Sequence, residues 1–233
     1  MDTHLPVLAF SDARIAIDPD GGTTAPITLT LAPGGFAVAD LRGPRQCIRL
    51  ADAVTGLLPP RSGAVLFQGR DWREVTPEHA AAMRGRIGRH FARDAWLPEI
   101  GIEENILLAP LFHTKRPLRA VRDEAARLAA GFGMPGLPMG NPASLSPADR
   151  HRAGLVRAFL NSPDLVVLEE PTAVDGEALM PALMAAIREV RDRAGAVLWL
   201  TAGLPPAFER RLPATERFRL SNGALIDLGA RAA

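Results

Sequence analysis

The stretch Leu145–Thr172, LSPADRHRAGLVRAFLNSPDLVVLEEPT, constrains the fold more than any other part of this chain, because 28 consecutive residues carry a helix start, a helix stop and a buried strand. Ser146 followed by Pro147 and Asp149 predicts a helix N-terminus. The Ser hydroxyl can accept from an orphan amide, Pro tolerates the first helical position, and an acidic side chain suits the positive end of a helix. Leu155, Val156, Phe159 and Leu160 continue at helical spacing, and Asn161-Ser162-Pro163 ends the run. Leu165–Leu168 is then a short continuous apolar run, as expected of a strand covered on both faces in a parallel sheet, with Glu169 and Glu170 at its exit. That pattern places the chain among α/β folds.

The same residues resemble the signature helix and acidic strand of ATP-binding-cassette (ABC) ATPases: LSGGQ, an Arg- and Ala-rich helix, a turn of the N-D-P-D kind, four apolar residues and D-E-P-T. Leu145 and Ser146 match the first two signature residues, Arg150 and Arg152 the basic pair, and Glu170-Pro171-Thr172 the E-P-T, without a gap. The signature glycines are replaced by Pro147 and Ala148, the Gln by Asp149, and the Asp of D-E by Glu169. The resemblance implies an ABC-type P-loop NTPase-like α/β fold over residues 1–233, with an antiparallel β subdomain and a helical subdomain at about 93–162. It makes Glu170 the catalytic carboxylate of any hydrolysis and Glu169 the group that holds a magnesium-bound water. As carboxylates at an exposed strand end, both are also cheap to keep solvated. Helix capping alone accounts for Ser146 and Asp149.

Earlier in the chain, Val7–Phe10 and Ile15–Ile17 read as short strands separated from the next by the turn-rich Asp18–Gly22, and Ile27–Leu31 alternates as a half-buried strand. Pro33-Gly34-Gly35 is expected to turn that strand back into Phe36–Leu41. Arg42–Gln46 then joins it to a helix over Cys47–Gly56, and Ala64–Gln68 is another strand. In the resemblance the joining loop is the phosphate site, which needs G-x-x-x-x-G-K-[ST]: glycines so that amides converge on phosphates, Lys for the outer phosphates and a hydroxyl for magnesium. With Gly56-Leu57 and Pro59 as anchor, Cys47 stands at the Lys position, Ile48 at the Ser and Arg49 at the Thr; starting from Gly43 fares no better. Pro44 also lacks an amide. Gly43, Arg45, Cys47, Ile48 and Arg49 therefore form a vestigial nucleotide site. A substitute anion site of Arg42, Arg45 and Arg49 at a helix N-terminus is the functional alternative, and exposed loop arginines the simpler one.

Ile87–Ala92 resembles the strand ending in F-Q, with Ala92 at the Gln, and Thr201-Ala202 stands where the family has T-H. Ala173-Val174-Asp175-Gly176 departs from A-G-L-D, and no aromatic for adenine stacking lies in Asp18–Pro26. By contrast Leu97-Pro98 and Glu104-Asn105 keep the register of the segment that, in the family, lies beside a membrane subunit's coupling helix. Trp96, Leu97, Glu104, Asn105 and Leu108 are the expected docking residues for a permease. Arg116–Phe132 and Glu177–Arg193 read as helices, Ala196–Thr201 as a buried strand, and Phe218–Leu228 around Ser221-Asn222-Gly223 as a hairpin.

A net charge of +1 gives no general pull toward nucleic acid, and Cys47, the only cysteine, excludes an internal disulfide. No apolar run is long enough to span a bilayer and the first residues lack a signal-peptide pattern, so the expected location is cytoplasmic, peripheral at the inner face of the plasma membrane. His90 and His151 lack metal-ligand spacing. The reading is a degenerate cassette subunit of an ABC transporter, weakly similar in wording to those of envelope-lipid and solvent-tolerance transporters. It would have weak Mg-ATP binding and little or no hydrolysis, a membrane permease as partner, and a second cassette, either a copy or an intact paralogue. An active ATPase with an arginine-containing loop, and an interaction protein outside transport, stay open as alternatives.

Overall fold

The computed structural model describes residues 5–18, 21–93, 95–203, 209 and 211–229. The first four residues of the N-terminal decapeptide and the middle of the Asp18–Gly22 turn lie outside them. In chain order the elements are β1 (Leu8–Arg14), β2 (Ile27–Leu31), β3 (Phe36–Asp40), α1 (Pro44–Val54), β4 (Ser62–Phe67), β5 (Arg70–Asp71), α2 (Pro77–Arg84), β6 (Ile87–His90), α3 (Ile102–His113), α4 (Leu118–Gly131), α5 (Pro147–Phe159), β7 (Leu165–Glu169), α6 (Gly176–Asp192), β8 (Ala196–Thr201), β9 (Glu216–Ser221) and β10 (Ala224–Asp227). A single 3-10 turn, Pro142–Ser144, precedes α5.

The strands form two sheets, β2-β1-β4-β5 and β10-β9-β3-β8-β7-β6. The first is antiparallel, whereas β3, β8, β7 and β6 are parallel neighbours. Period-two alternation sorts the central strands between two cores. Leu165, Val167, Leu198 and Leu200 face α1 and the antiparallel sheet, and Val166, Leu168, Val197 and Trp199 face the packed helices α3 to α6. β7 and β8 are buried at every position, which is why their sequences read as continuous apolar runs. α1 packs on β4, β7 and β8 and so fills the space between the sheets.

Several expectations are corrected. The first expected strand runs on to Arg14 as β1, with a register shift between Phe10 and Ala13 where Asp12 takes φ +47, and the second, Ile15–Ile17, is no strand: Ala16 makes only an isolated bridge to Thr23. Pro33-Gly34-Gly35 does not close a hairpin. β3 is buried on both faces at Phe36–Ala39, which suits the middle of a parallel sheet, so the chain crosses from one sheet to the other, turning at Gly34 with φ +74. α1 starts at Pro44, three residues before Cys47, because Pro with its fixed φ suits the first helical position. α2 and α3 are helices that the periodicity did not announce. The terminal hairpin is as expected, with Asn222 and Gly223 both at positive φ.

Candidate functional site

Only Leu41–Gly43 separates β3 from α1. The Arg42 amide donates to Gln46 Oε1 at 2.9 Å, and the Gln46 and Cys47 amides donate to the Gly43 carbonyl at 3.0 and 3.3 Å. Pro44 has no amide. A phosphate cradle needs successive amides pointing at one centre, and here they are used inside the first turn of the helix. The arginines do not gather either. Arg42 donates to Asn222 Oδ1 at 3.1 Å, Arg49 Nε donates to the Ala16 carbonyl, and Arg45 is exposed. Cys47 is fully buried, and Ile48 is half-buried with its carbonyl facing Arg89. The residues expected to form a vestigial nucleotide site thus diverge, because winding Arg45 and Gln46 into α1 leaves too short a loop. ATP and magnesium, which the fold family implies, do not fit these residues.

The two carboxylates are not at an exposed strand end. Glu169 is 1% exposed and accepts from Arg89 Nε at 2.6 Å and from the Ala92 amide at 3.3 Å. Burial raises its pKa and the Arg89 guanidinium opposes that rise. Glu169, expected to hold a metal-bound water, is therefore committed to a protein cation. Among the described residues no group of three or more His, Cys, Asp or Glu side chains could hold a metal ion. Glu170 is half-buried at φ +47 and accepts from Thr201 Oγ1 at 3.1 Å and from the Ala202 amide; the Cys47 thiol lies 3.8 Å away. Burial, then the charges of Glu170 and Glu169, push the thiol pKa well up, so it stays protonated and donates. At Ala92 and Ala202, where the resembling family carries Gln and His side chains, backbone amides bond the two carboxylates.

Arg89 was not anticipated. The available signal was an arginine inside Ile87–Ala92, the run that resembles the strand ending in F-Q. Beyond Glu169, its Nη1 donates to Asp52 Oδ1 at 2.7 Å and lies 3.3 Å from Thr55 Oγ1. Next to it, His90 is buried with Nδ1 3.1 Å from the Glu169 carbonyl, and its ring meets that of His151 edge-on at 4.5 Å. Burial, reinforced by His151, pushes the His90 pKa down to about 3, so both its geometry and its environment fit a neutral ring donating from Nδ1. His151 Nε2 is 2.8 Å from the Pro171 carbonyl and its pKa is also lowered by burial. A cavity of about 170 Å³ lies beside them, lined by Phe91, Trp96, Arg157 and Glu170 among others. Arg157 stacks 4.1 Å from the Trp96 ring and donates to the Ala95 carbonyl at 2.7 Å.

Ser146 caps α5 as expected: its Oγ accepts from the Asp149 amide at 3.0 Å and donates to Asp149 Oδ2 at 2.8 Å. Of the expected docking residues, Asn105 is 5% exposed and points inward. Its Oδ1 accepts from the Leu97 amide at 2.8 Å, and its Nδ2 faces the carbonyls of Leu97, Ile100 and Gly101 at 2.9 to 3.2 Å. It staples the loop before α3 and does not present itself to a partner. Trp96 is half-buried with one face taken by Arg157. Glu104 is exposed in the first turn of α3, where a negative charge suits the helix end. Leu97, Leu108, Leu111 and Phe112 are exposed, Phe112 by 77%, and the last three recur at helical spacing on one side of α3. Leu111 and Phe112 extend that surface beyond the named docking residues, within the Trp96–Phe112 stretch expected to dock.

The sheet order, the helix between the sheets and the strand ending in paired carboxylates define a nucleotide-binding cassette fold, and comparison with known proteins agrees. The dimeric cassette MJ0796, described as a bacterial ABC transporter cassette, superposes with TM-score 0.83 over 97% of this chain and all of that one, at 16% identity. The sequence profile of the ABC transporter family matches residues 49–173, and the chain belongs to that family. The lipoprotein-releasing system ATP-binding protein LolD of Oleidesulfovibrio alaskensis is 36% identical over 114 residues, 48% of this chain and 49% of the relative. The methionine import ATP-binding protein MetN 2 of Paraburkholderia xenovorans is 29% identical over 195 residues, 81% of this chain and 50% of that protein. The chain thus spans about half the length of these relatives. LolD 1 of Rhodopirellula baltica is 29% identical over 207 residues, 87% of each chain. Among the described residues no helix is long and apolar enough to cross a membrane.

Proposed function

We propose that this chain is a cassette subunit of an ABC transporter that works without turning over ATP itself. It docks at the inner face of the plasma membrane on a permease and pairs with a second cassette, either a copy or an intact paralogue that supplies hydrolysis. The observation that carries the reading is the β3–α1 turn, whose Gln46 and Cys47 amides close on Gly43 inside a helix that begins at Pro44. Glu170 is held by Thr201, Ala202 and Cys47 and has no cradle to deliver a phosphate to it. The apolar face of Leu97, Leu108, Leu111 and Phe112 supports a docking role, since exposed apolar surface of this kind is kept where a partner covers it. Relatives named for lipoprotein release support an envelope-lipid or lipoprotein cargo, although relatives named for methionine and thiamine import match comparably.

Titration calorimetry of the isolated chain with Mg-ATP tests the reading. Each missing charged contact to phosphate forfeits roughly 1.5 to 3 kcal/mol, so the expected result is no heat of binding at micromolar nucleotide. Low-micromolar affinity that Arg45→Ala with Arg49→Ala abolishes would overturn the reading in favour of an arginine-based phosphate site.

A further inference from the structure

Every nitrogen of the Arg89 guanidinium has a partner, and the partners come from two other elements. Nε meets Glu169 on β7 at 2.6 Å; Nη1 meets Asp52 at 2.7 Å and Thr55 at 3.3 Å, at the end of α1; Nη2 reaches the Ile48 carbonyl, also on α1, at 3.5 Å. The Phe91 ring covers the group at 4.6 Å, and the side chain is only 7% exposed. The five donors of the planar fork span both carboxylates, a hydroxyl and a backbone carbonyl, four acceptors where an ammonium has only three donors. Glu169 is gripped again from the same segment by the Ala92 amide, so residues 89–92 close around it.

From this point the chain runs into the loop before α3, described at residues 91–93 and 95–101. Its middle is held to α5 by Arg157, which bonds Ala95 and stacks on Trp96, and its end is stapled to α3 by Asn105. Polar and stacking contacts therefore link α1 and β7, through Arg89, the Phe91 ring and Arg157, to the loop that leads into α3.

We infer that Arg89 is an internal clamp: its guanidinium, fixed between Glu169 and Asp52, ties the 91–101 loop to α1 and β7 and sets the position of the apolar face of α3 from within the chain, with no ligand required. The disagreement between the implied nucleotide and the residues present then has a physical content, because a side-chain cation already holds these elements together. The use of the clamp rests on the docking reading above; its geometry does not.

Hydrogen exchange by mass spectrometry on the full chain, without permease, tests it. Asp52→Ala removes the ion pair to α1 at its half-exposed end and leaves Glu169 paired. Exchange is expected to rise on the order of tenfold in residues 44–56 and 91–101, with α4 and α6 unchanged. Arg89→Met should raise it further in the same segments and lower the melting temperature by on the order of 10 °C. Should that variant fail to fold, Asp52→Ala still decides. Millimolar Mg-ATP should leave wild-type exchange in both segments unchanged. Unaltered protection in Asp52→Ala, a uniform rise across both sheets, or protection of 91–101 by Mg-ATP would each overturn the clamp. The readout is independent of whether the apolar face binds a permease.

Discussion

Acidification from pH 7 to pH 5 should destabilise this protein chiefly through His90. The folded chain holds the ring neutral, with a pKa near 3, because it is buried against the His151 ring with the Arg157 charge nearby, whereas the unfolded chain protonates it near the ordinary 6.5. A depressed folded pKa gives stability that is complete above the unfolded value and is lost as pH falls, since the unfolded state then binds the extra proton. Between pH 7 and pH 5 that linkage amounts to about 2 kcal/mol, a sizeable part of a domain's total stability. His151, lowered by burial, acts in the same direction. Glu169 acts in the opposite one: burial raises its pKa, so its contribution falls as pH rises above its ordinary value. Urea unfolding of wild type and His90→Gln across this range separates them, because Gln can still donate to the Glu169 carbonyl but cannot titrate. The wild-type curve should drop by about 2 kcal/mol more than the variant's. Parallel pH profiles for the two proteins would refute the argument, since they would mean that His90 is not forced neutral by its surroundings.

Two further outcomes follow from the face on α3. Leu108→Asp should abolish recovery of a candidate permease in a pull-down while the fully buried Cys47→Ala leaves it intact, because each apolar side chain covered by a partner is worth about 1.5 to 3 kcal/mol; equal recovery of permease with both variants would favour an interaction protein outside transport. Asn105→Ala should lower unfolding stability by roughly 2 to 3 kcal/mol, since it strips the Leu97 amide and three carbonyls of their shared partner at a buried position; a change under half a kcal/mol would contradict the staple.

Where neighbours in sequence decide the structure, the chain could be read directly. The Ser146 cap, the terminal hairpin and the buried runs of β7 and β8 follow from local chemistry and period alone. Legibility ended where distant segments decide the outcome. β3 reads like the second arm of a hairpin, and only its burial on both faces assigns it to the other sheet. Glu169 reads as a solvated strand end until Arg89, 80 residues away in the chain, is brought against it. Asn105 keeps a motif's register, yet its side chain serves the loop behind it rather than a partner in front. The absence of a Lys at position 47 was plain from the letters, but the winding of the turn into a helix was not, because it depends on Pro44 being placed at a first helical position.

The wound turn also governs how the chain could change from here. Restoring a lysine at Cys47 would put an ammonium into a fully buried position that now holds a protonated thiol, with no anion cradle above it. Restoring glycines in Leu41–Gln46 first would loosen the start of α1, and freeing Glu169 first would strand a buried carboxylate. Each of these changes alone costs stability. A designer wishing to install a phosphate site would have to rebuild the turn, residue 47 and residue 89 in one step.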